Sequence, residues 1–410
     1  MDNLRDYQLA NQNAVFSELT SVDSTLGVMP TGTGKTQVYL SVAHNWTDGG
    51  VLALGHREEL VWQPFNRYRD IYGDYPEMVM GEYSRSTHSR AKLTVASKDS
   101  LHPERLKREF PDPKEIGLII IDEAHHCVKR NATYQRILDY FPHAKRFGLT
   151  ATPDRADEEA LGQCFESVAF DYPLMDPTGG PSAITDGWLV PINQELITVE
   201  AVNLNLVKTQ AGDLEKGSLE REMIGERPLH RITGATEEIC GTQPTLIFTA
   251  GVTHAVKCAE IFNRHADGSA YCLVSKVAQN HQFDFVVNSR DAERRRRILK
   301  SFDQGGFPRL VNVGVLTEGF DAPTTRAMVM GRPTKSRALY AQMLGRGTRI
   351  LPNVIEGRID DTWWRLSTPD ERKAAIAASD KPFCRVVDFT FTGNVRHELV
   401  TSFDILGGRY

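Results

Sequence analysis

Short apolar runs recur along the chain, and each ends in glycine or small polar residues. The clearest are residues 26–28, 51–54, 116–121 and 245–248, with looser extended stretches at 91–96, 146–149, 310–315 and 385–390. Runs that are apolar throughout, rather than alternating with polar residues, suit strands buried on both faces of a sheet. Helix-compatible segments lie between several of them. Residues 4–8 open a polar helical stretch, 37–43 continue as a helix, and Glu58, Glu59, Leu60 and Gln63 follow the turn at 55–57. Strands alternating with helices predict an α/β fold with mostly parallel sheets.

In open α/β sheets ligands gather beyond the carboxyl ends of the strands, so the residues after each run carry the chemistry. The first run is followed by MPTGTGKT at positions 29–36. Met29, Pro30 and Thr31 lead into Gly32, Thr33 and Gly34, whose backbone curls so that N–H groups point at a phosphate. Lys35 reaches the β- and γ-phosphates, and the Thr36 hydroxyl is placed to ligate Mg²⁺. The helix that begins there adds its positive end to the anion site. Met29 stands where the pattern usually has its first glycine.

The run at 116–121 ends in Asp122-Glu123-Ala124-His125-His126. Asp122 is the expected Mg²⁺ holder, and Glu123 the residue that orients and deprotonates an attacking water. Adjacent histidines cannot share one helix face, and no HExxH spacing follows, so they define no metal site. Thr150 and Thr152, after the run at 146–149, can hydrogen-bond the two acids and report their state. Arg57 and Ser97 follow two further strands, where a nucleic-acid phosphate can sit. Upstream, Arg5, Tyr7 and Gln8 combine a cation, a ring and an amide able to stack on and hydrogen-bond an adenine.

The phosphate loop, the DEAH sequence, the Thr-Ala-Thr-Pro segment at 150–153 and the aromatic-Gln leader come in the order and spacing of the first motor lobe of a superfamily 2 helicase. The chain resembles the DEAD/DEAH-box branch that includes DNA-repair helicases and restriction-enzyme motor subunits. That resemblance implies two tandem RecA-like lobes, with ATP at their interface and a nucleic-acid strand across both. It further implies that Thr249 and the helix after it hold a strand phosphate, that Thr317 touches the strand, and that Gly319 and Asp321 face the nucleotide. Gln342, Arg346 and Arg349 stand i, i+4 and i+7, so one helix would present them within about 60° of one another. The arginines would complete the ATP site, with Tyr340 and Leu344 as the helix's apolar back.

The 410 residues suit two to three domains. The strongest turn cluster, Asp176-Pro177-Thr178-Gly179-Gly180-Pro181, sets the expected boundaries: a first lobe at 1–175, a linker at 176–190, a second lobe at 191–352 and a small C-terminal extension at 353–410. A net charge of −5 confines any nucleic-acid contact to a local groove. No run reaches the roughly 18 apolar residues of a membrane span, and the start lacks the form of a signal peptide. Six cysteines without a CxxC pair argue against a zinc module or disulfide framework and for a reducing, cytoplasmic setting. Arg294 to Arg297 spread around a helix and read mostly as solvated surface. Thr368-Pro369-Asp370-Glu371 followed by Arg372 and Lys373 faintly echoes the acidic-x-Lys element of nucleases, but Thr368, Pro369 and Glu371 make a better helix cap.

The expected activity is an ATP-dependent nucleic-acid motor, with DNA favoured over RNA by resemblance. Its alternatives are a duplex translocase subunit of a restriction or repair complex and an ATP-gated nucleic-acid clamp. A small-molecule kinase has no use for Thr317, Gln342 or the paired arginines.

Overall fold

All the apolar runs of the first half become strands of one sheet. The structure is a computed structural model and describes residues 4–86, 90–128, 131–151, 164–176, 178–210, 212–275, 283–288, 291–314, 316, 322–359 and 362–391. The chain divides into two compact units, Met1–Pro173 and Leu174–Tyr410.

In the first unit the strands are β1 (Ser24–Val28), β2 (Gly50–Gly55), β3 (Glu77–Val79), β4 (Leu93–Ser97), β5 (Ile116–Asp122), β6 (Lys145–Thr150) and β7 (Ser167–Asp171). They pair in the order β3-β4-β2-β5-β6-β1-β7, and every pairing is parallel. β5 lies mid-sheet with Leu118 to Ile121 wholly buried, each such side chain worth about 1.5–3 kcal/mol over exposure. The helices are α1 (Asp6–Glu18), α2 (Lys35–Asn45), α3 (Glu59–Tyr72), α4 (Pro103–Glu109) and α5 (Ala132–Tyr140). α3 buries Val61, Pro64 and Tyr68, the i, i+3, i+7 stripe of a helix lying on a sheet.

The second unit repeats this plan. Its strands are β8 (Ile192–Val199), β9 (Thr209–Gln210), β10 (Asp213–Leu214), β11 (Thr245–Phe248), β12 (Ala270–Val274), β13 (Val286–Asn288), β14 (Arg309–Asn312), β15 (Ala327–Met330), β16 (Glu356–Ile359), β17 (Thr362–Arg365) and β18 (Cys384–Phe391). Seven of them form a second sheet, ordered β13-β12-β14-β11-β15-β18-β8 and again parallel at each pairing. The pairs β9/β10 and β16/β17 are antiparallel hairpins. β18 belongs to the stretch that the sequence sets apart after residue 352, yet it lies between β15 and β8 as an inner strand. Its burial, from Cys384 through Phe389 almost throughout, is that of a sheet centre.

The helices here are α6 (Lys216–Met223), α7 (Glu226–Cys240), α8 (Val252–His265), α9 (Ala292–Asp303), α10 (Arg337–Leu344) and α11 (Pro369–Ala377). α11 starts with the expected capping box: Thr368 Oγ1 accepts from Glu371 N–H at 3.3 Å, and Glu371 Oε2 from Thr368 N–H at 2.9 Å. Among the described residues no helix is long and apolar enough to cross a membrane, and all six cysteines are buried free thiols.

Candidate functional site

Parallel pairing brings the carboxyl ends of β1, β2, β4, β5 and β6 to one edge of the first sheet. β1 is buried along its length and delivers Met29, whose N–H donates to Thr150 O of β6 at 2.9 Å. The backbone then turns through left-handed φ at Gly32 (92°) and Gly34 (80°) into α2, which begins at Lys35. The Thr33 hydroxyl closes the turn on Pro30 O at 2.7 Å. A Cβ on Gly34 would stand 2.5 Å from Gln8 Nε2, so glycine is needed there for space as well as for φ.

α1 holds this loop from the other side. The Tyr7 hydroxyl donates to Thr33 O at 2.7 Å, and Gln8 Nε2 donates to the same oxygen at 2.9 Å. Arg5 Nη1 donates to the Tyr7 oxygen at 2.8 Å, and the Arg5 N–H to Gln8 Oε1 at 2.9 Å. The Tyr7 ring stacks on Tyr172, with centroids 4.6 Å apart and planes 11° off parallel. Residues expected to grip a base thus have their polar groups on the loop and one ring face on Tyr172. Sequence reading missed Tyr172, and also Asn11, whose Nδ2 lies 3.0 Å from Met29 Sδ. Asn11 stands one helical turn after Tyr7, which was the available signal.

Lys35 Nζ donates to Met29 O at 3.4 Å and lies 3.9 Å from Glu123 Oε1. Glu123 adopts a left-handed φ of 52°, a conformation costing a non-glycine residue about 1–2 kcal/mol, and its N–H donates to Asp122 Oδ1 at 2.9 Å. That turn directs the two neighbouring acids differently. His125 Nδ1 is 3.2 Å from Thr150 Oγ1 and 3.5 Å from Glu123 Oε2, so Thr150 is joined to the acids through His125. Beneath them Tyr39 is fully buried, its phenol pushed far above its ordinary pKa by burial and then by the Asp122 charge. The His125 and His126 rings sit 4.2 Å apart, and His126 sits 4.3 Å from His56, beside Arg57. Gly55 and Ser97 are register partners, so Arg57 and Ser97 leave neighbouring strands at the same edge. Thr152 lies outside the described residues.

The loop fits the phosphates of ATP. Thr31 Oγ1 is buried without a hydrogen-bond partner among the described residues, a donor that a phosphate oxygen would satisfy. Both glycines have the conformation such a cradle needs, and Lys35 is buried beside it. Asp122 and Thr36 are oxygen ligands of the hard type that Mg²⁺ takes.

In the second unit Thr249 follows β11 but is fully buried. Its hydroxyl donates to Asn312 O at 2.9 Å, and its N–H to the same oxygen at 3.0 Å. The first turn of α8 holds a carboxylate: Glu220 Oε1 of α6 accepts from Thr253 N–H at 2.6 Å and His254 N–H at 3.3 Å. Thr317, Gly319 and Asp321 lie outside the described residues.

The single helix face carrying Gln342, Arg346 and Arg349 is corrected by the structure. α10 ends at Leu344. The chain tightens into i→i−3 bonds, Arg346 N–H to Met343 O and Gly347 N–H to Leu344 O, and then leaves the helix. Packing explains the glycine at the exit: a Cβ on Gly347 would lie 2.2 Å from Met328 Sδ, so only a residue without a side chain lets the backbone pass this close to β15. Beyond it Val190 N–H donates to Thr348 O at 2.8 Å, and Lys381 Nζ donates to Arg349 O at 2.7 Å. Gln342 and Arg346 are buried. Tyr340 and Leu344 are also buried, as the apolar back requires, with the Tyr340 hydroxyl donating to Asp388 Oδ2 at 2.5 Å.

Residues 2–155 match the family described as type III restriction enzyme, res subunit, and residues 237–351 match the helicase conserved C-terminal domain. A Saccharomyces cerevisiae protein with the provisional name ATP-dependent helicase IRC3 is 28% identical over 85% of this chain and 49% of its own length. The type I restriction enzyme EcoAI endonuclease subunit of Escherichia coli is 25% identical over 92% of this chain and 47% of its own. The chain thus spans about half the length of these relatives. Among solved structures, a fragment assigned to the HsdR subunit of a type I restriction enzyme from Vibrio vulnificus YJ016 aligns over 98% of this chain and 66% of its own. Its TM-score is 0.66 at 22% identity. The two units are thus RecA-like, and a res-subunit domain followed by a helicase C-terminal domain makes the chain similar to the superfamily 2 helicases.

Proposed function

We propose that the protein is an ATP-dependent nucleic-acid motor that couples hydrolysis to stepping along DNA. The observation that carries this reading is the joining of Lys35 to Glu123 at 3.9 Å on the carboxyl edge of a parallel sheet, beside a loop with two left-handed glycines. Residues 29–36 and Lys35 hold the phosphates, while Arg5, Tyr7 and Gln8 brace the loop. Glu123 accepts the proton of the attacking water. Thr36 and Asp122 would hold Mg²⁺, which when bound neutralises phosphate charge. Arg346 and Arg349 supply positive charge to the γ-phosphoryl group, with Gln342, Gly319 and Asp321 on the nucleotide side. A transition-state arginine is worth roughly 10³ to 10⁵ in rate.

Arg57, Ser97 and Thr317 contact the strand, and Thr150 and Thr152 couple the two activities. For Thr249 the burial of its hydroxyl leaves the first turn of α8 as the phosphate-facing group. Asp122 to His125 act as a DEAH box. DNA is favoured by the likeness to restriction enzymes. The same likeness favours, as a second reading, duplex translocation without strand separation.

ATP hydrolysis measured with single-stranded DNA, duplex DNA and RNA tests this directly. We expect stimulation by DNA, and its abolition by Lys35→Ala. Full turnover in that variant, or hydrolysis indifferent to every nucleic acid, would sink the assignment. Strand displacement set beside triplex displacement then separates helicase from duplex translocase.

A further inference from the structure

We propose that the first unit carries a second anion site, for a phosphate-type dianion, on the amino edge of its sheet. A cavity of about 240 Å³ opens there, lined by Gly49, Gly50, Arg85, Arg90, Lys92 and Glu115, among others. From Gly50 to Gly55, β2 runs five residue steps at about 3.3 Å each. The cavity therefore lies about 17 Å from the edge that holds Arg57, and it shares no residue with the phosphate loop.

The lining has two positive charges in excess, three cations against one carboxylate. Arg85 is the built part. Its side chain is 7% exposed and forks onto Glu115, Nη1 to Oε1 at 2.8 Å and Nη2 to Oε2 at 3.2 Å. Nη1 also donates to Glu109 O at 2.6 Å, and the guanidinium lies 4.3 Å over the Phe110 ring. These contacts fix the group and leave Arg85 Nε buried with no hydrogen-bond partner among the described residues. A buried unpaired donor is costly, and an acceptor in the cavity would remove that cost.

Lys92 Nζ is held by the carbonyls of Trp46 and Gly49. Both bonds come from backbone oxygens, so they leave its charge unneutralised. Burial also lowers the Lys92 pKa, and a nearby anion would oppose that shift. Arg90 stands at the rim, exposed and without an ion pair among the described residues. Fixed guanidinium, held ammonium and exposed rim guanidinium together favour a compact oxyanion with several acceptors, which phosphate is. A carboxylate would satisfy fewer of these donors.

The phosphate can come from a small molecule in solution or from a nucleic-acid backbone. Inorganic phosphate is titrated calorimetrically into the full chain, with Mg·ADP saturating the phosphate loop. We expect one additional saturable site, weakened about tenfold or more by Arg90→Glu without a fall in melting temperature. Lys92→Met should weaken it too. Competition by a short single-stranded DNA assigns the site to backbone phosphate, and its failure to compete assigns it to a small anion. No saturable binding, or binding indifferent to Arg90→Glu, overturns the proposal.

Discussion

The carboxylate of Glu220 accepts from the backbone N–H of Thr253 at 2.6 Å, filling the helix end that a strand phosphate would use. The two anions compete for the same donors, and Glu220 also stands 2.4 Å or less from where a Cβ on Gly251 would be. Glu220→Gln removes the charge and keeps the shape. It should raise affinity for single-stranded DNA several-fold, because the phosphate no longer displaces a like charge. Fluorescence anisotropy at several salt concentrations measures this. Unchanged or weaker binding would place the nucleic acid elsewhere on the second unit. A small loss of stability, about 1 kcal/mol or less, is expected from the weakened cap.

Tyr7 separates two accounts of the leader segment. If its ring serves a base, Tyr7→Phe is neutral. The structure instead has the hydroxyl donating to Thr33 O, so Tyr7→Phe should loosen the phosphate loop while Tyr172 stacking persists. The expected cost is about 1 kcal/mol, seen as a roughly fivefold weaker nucleotide affinity in equilibrium titration. Full retention of affinity would return the ring to a base-stacking role.

Gly34→Ala makes a sharper case. It combines a φ of 80° with a Cβ only 2.5 Å from Gln8 Nε2, so strain and a displaced Gln8 act together. Nucleotide binding should fall at least tenfold while circular dichroism remains that of the wild type. Wild-type binding would mean the loop reshapes freely.

These residues mark what the sequence could and could not convey. Central strands were legible because burial on both faces leaves an uninterrupted apolar run, as in β5. β3 has three residues and β7 has no fully buried position, only half-buried and exposed ones, so neither announces itself. The phosphate loop was legible because backbone chemistry demands glycine and lysine at fixed spacing. The end of α10 was not, since helix periodicity carries no information about where the chain tightens and leaves the helix. Nor could it show that Glu220, some thirty residues upstream, caps α8.

His254 gives the second unit a pH dependence. It is fully buried, and burial pushes its pKa down to about 3. Ala250 N–H donates to His254 Nδ1 at 3.2 Å, which requires that nitrogen to be unprotonated. The unfolded chain takes up a proton near pH 6.5 and the folded one does not. Stability is therefore complete above about pH 6.5 and declines as pH falls toward 3, by up to about 1.4 kcal/mol per pH unit. At pH 5 the loss is about 2 kcal/mol. His254→Asn, whose Oδ1 can accept from Ala250, should flatten this slope in denaturant titrations between pH 7.5 and 5. An unchanged slope would assign the dependence to other groups.

Lys381 tests whether the arginine segment is positioned from behind. Its side chain is 1% exposed and donates to Pro323 O at 2.8 Å and Arg349 O at 2.7 Å. Arg349 lies past the end of α10, so no helical hydrogen bond fixes its backbone, and Lys381 replaces that constraint. Lys381→Met keeps the length and leaves both carbonyls without this donor, at a cost of about 1–3 kcal/mol. If Arg349 acts on the γ-phosphoryl group, a displaced backbone should lower kcat by tenfold or more, because small misplacements are expensive in a transition state. KM for ATP should hardly move, since binding resides in the first unit. A lower melting temperature with kcat unchanged would make Lys381 a structural residue only. A parallel rise in KM would mean that Arg349 contributes to ground-state binding as well.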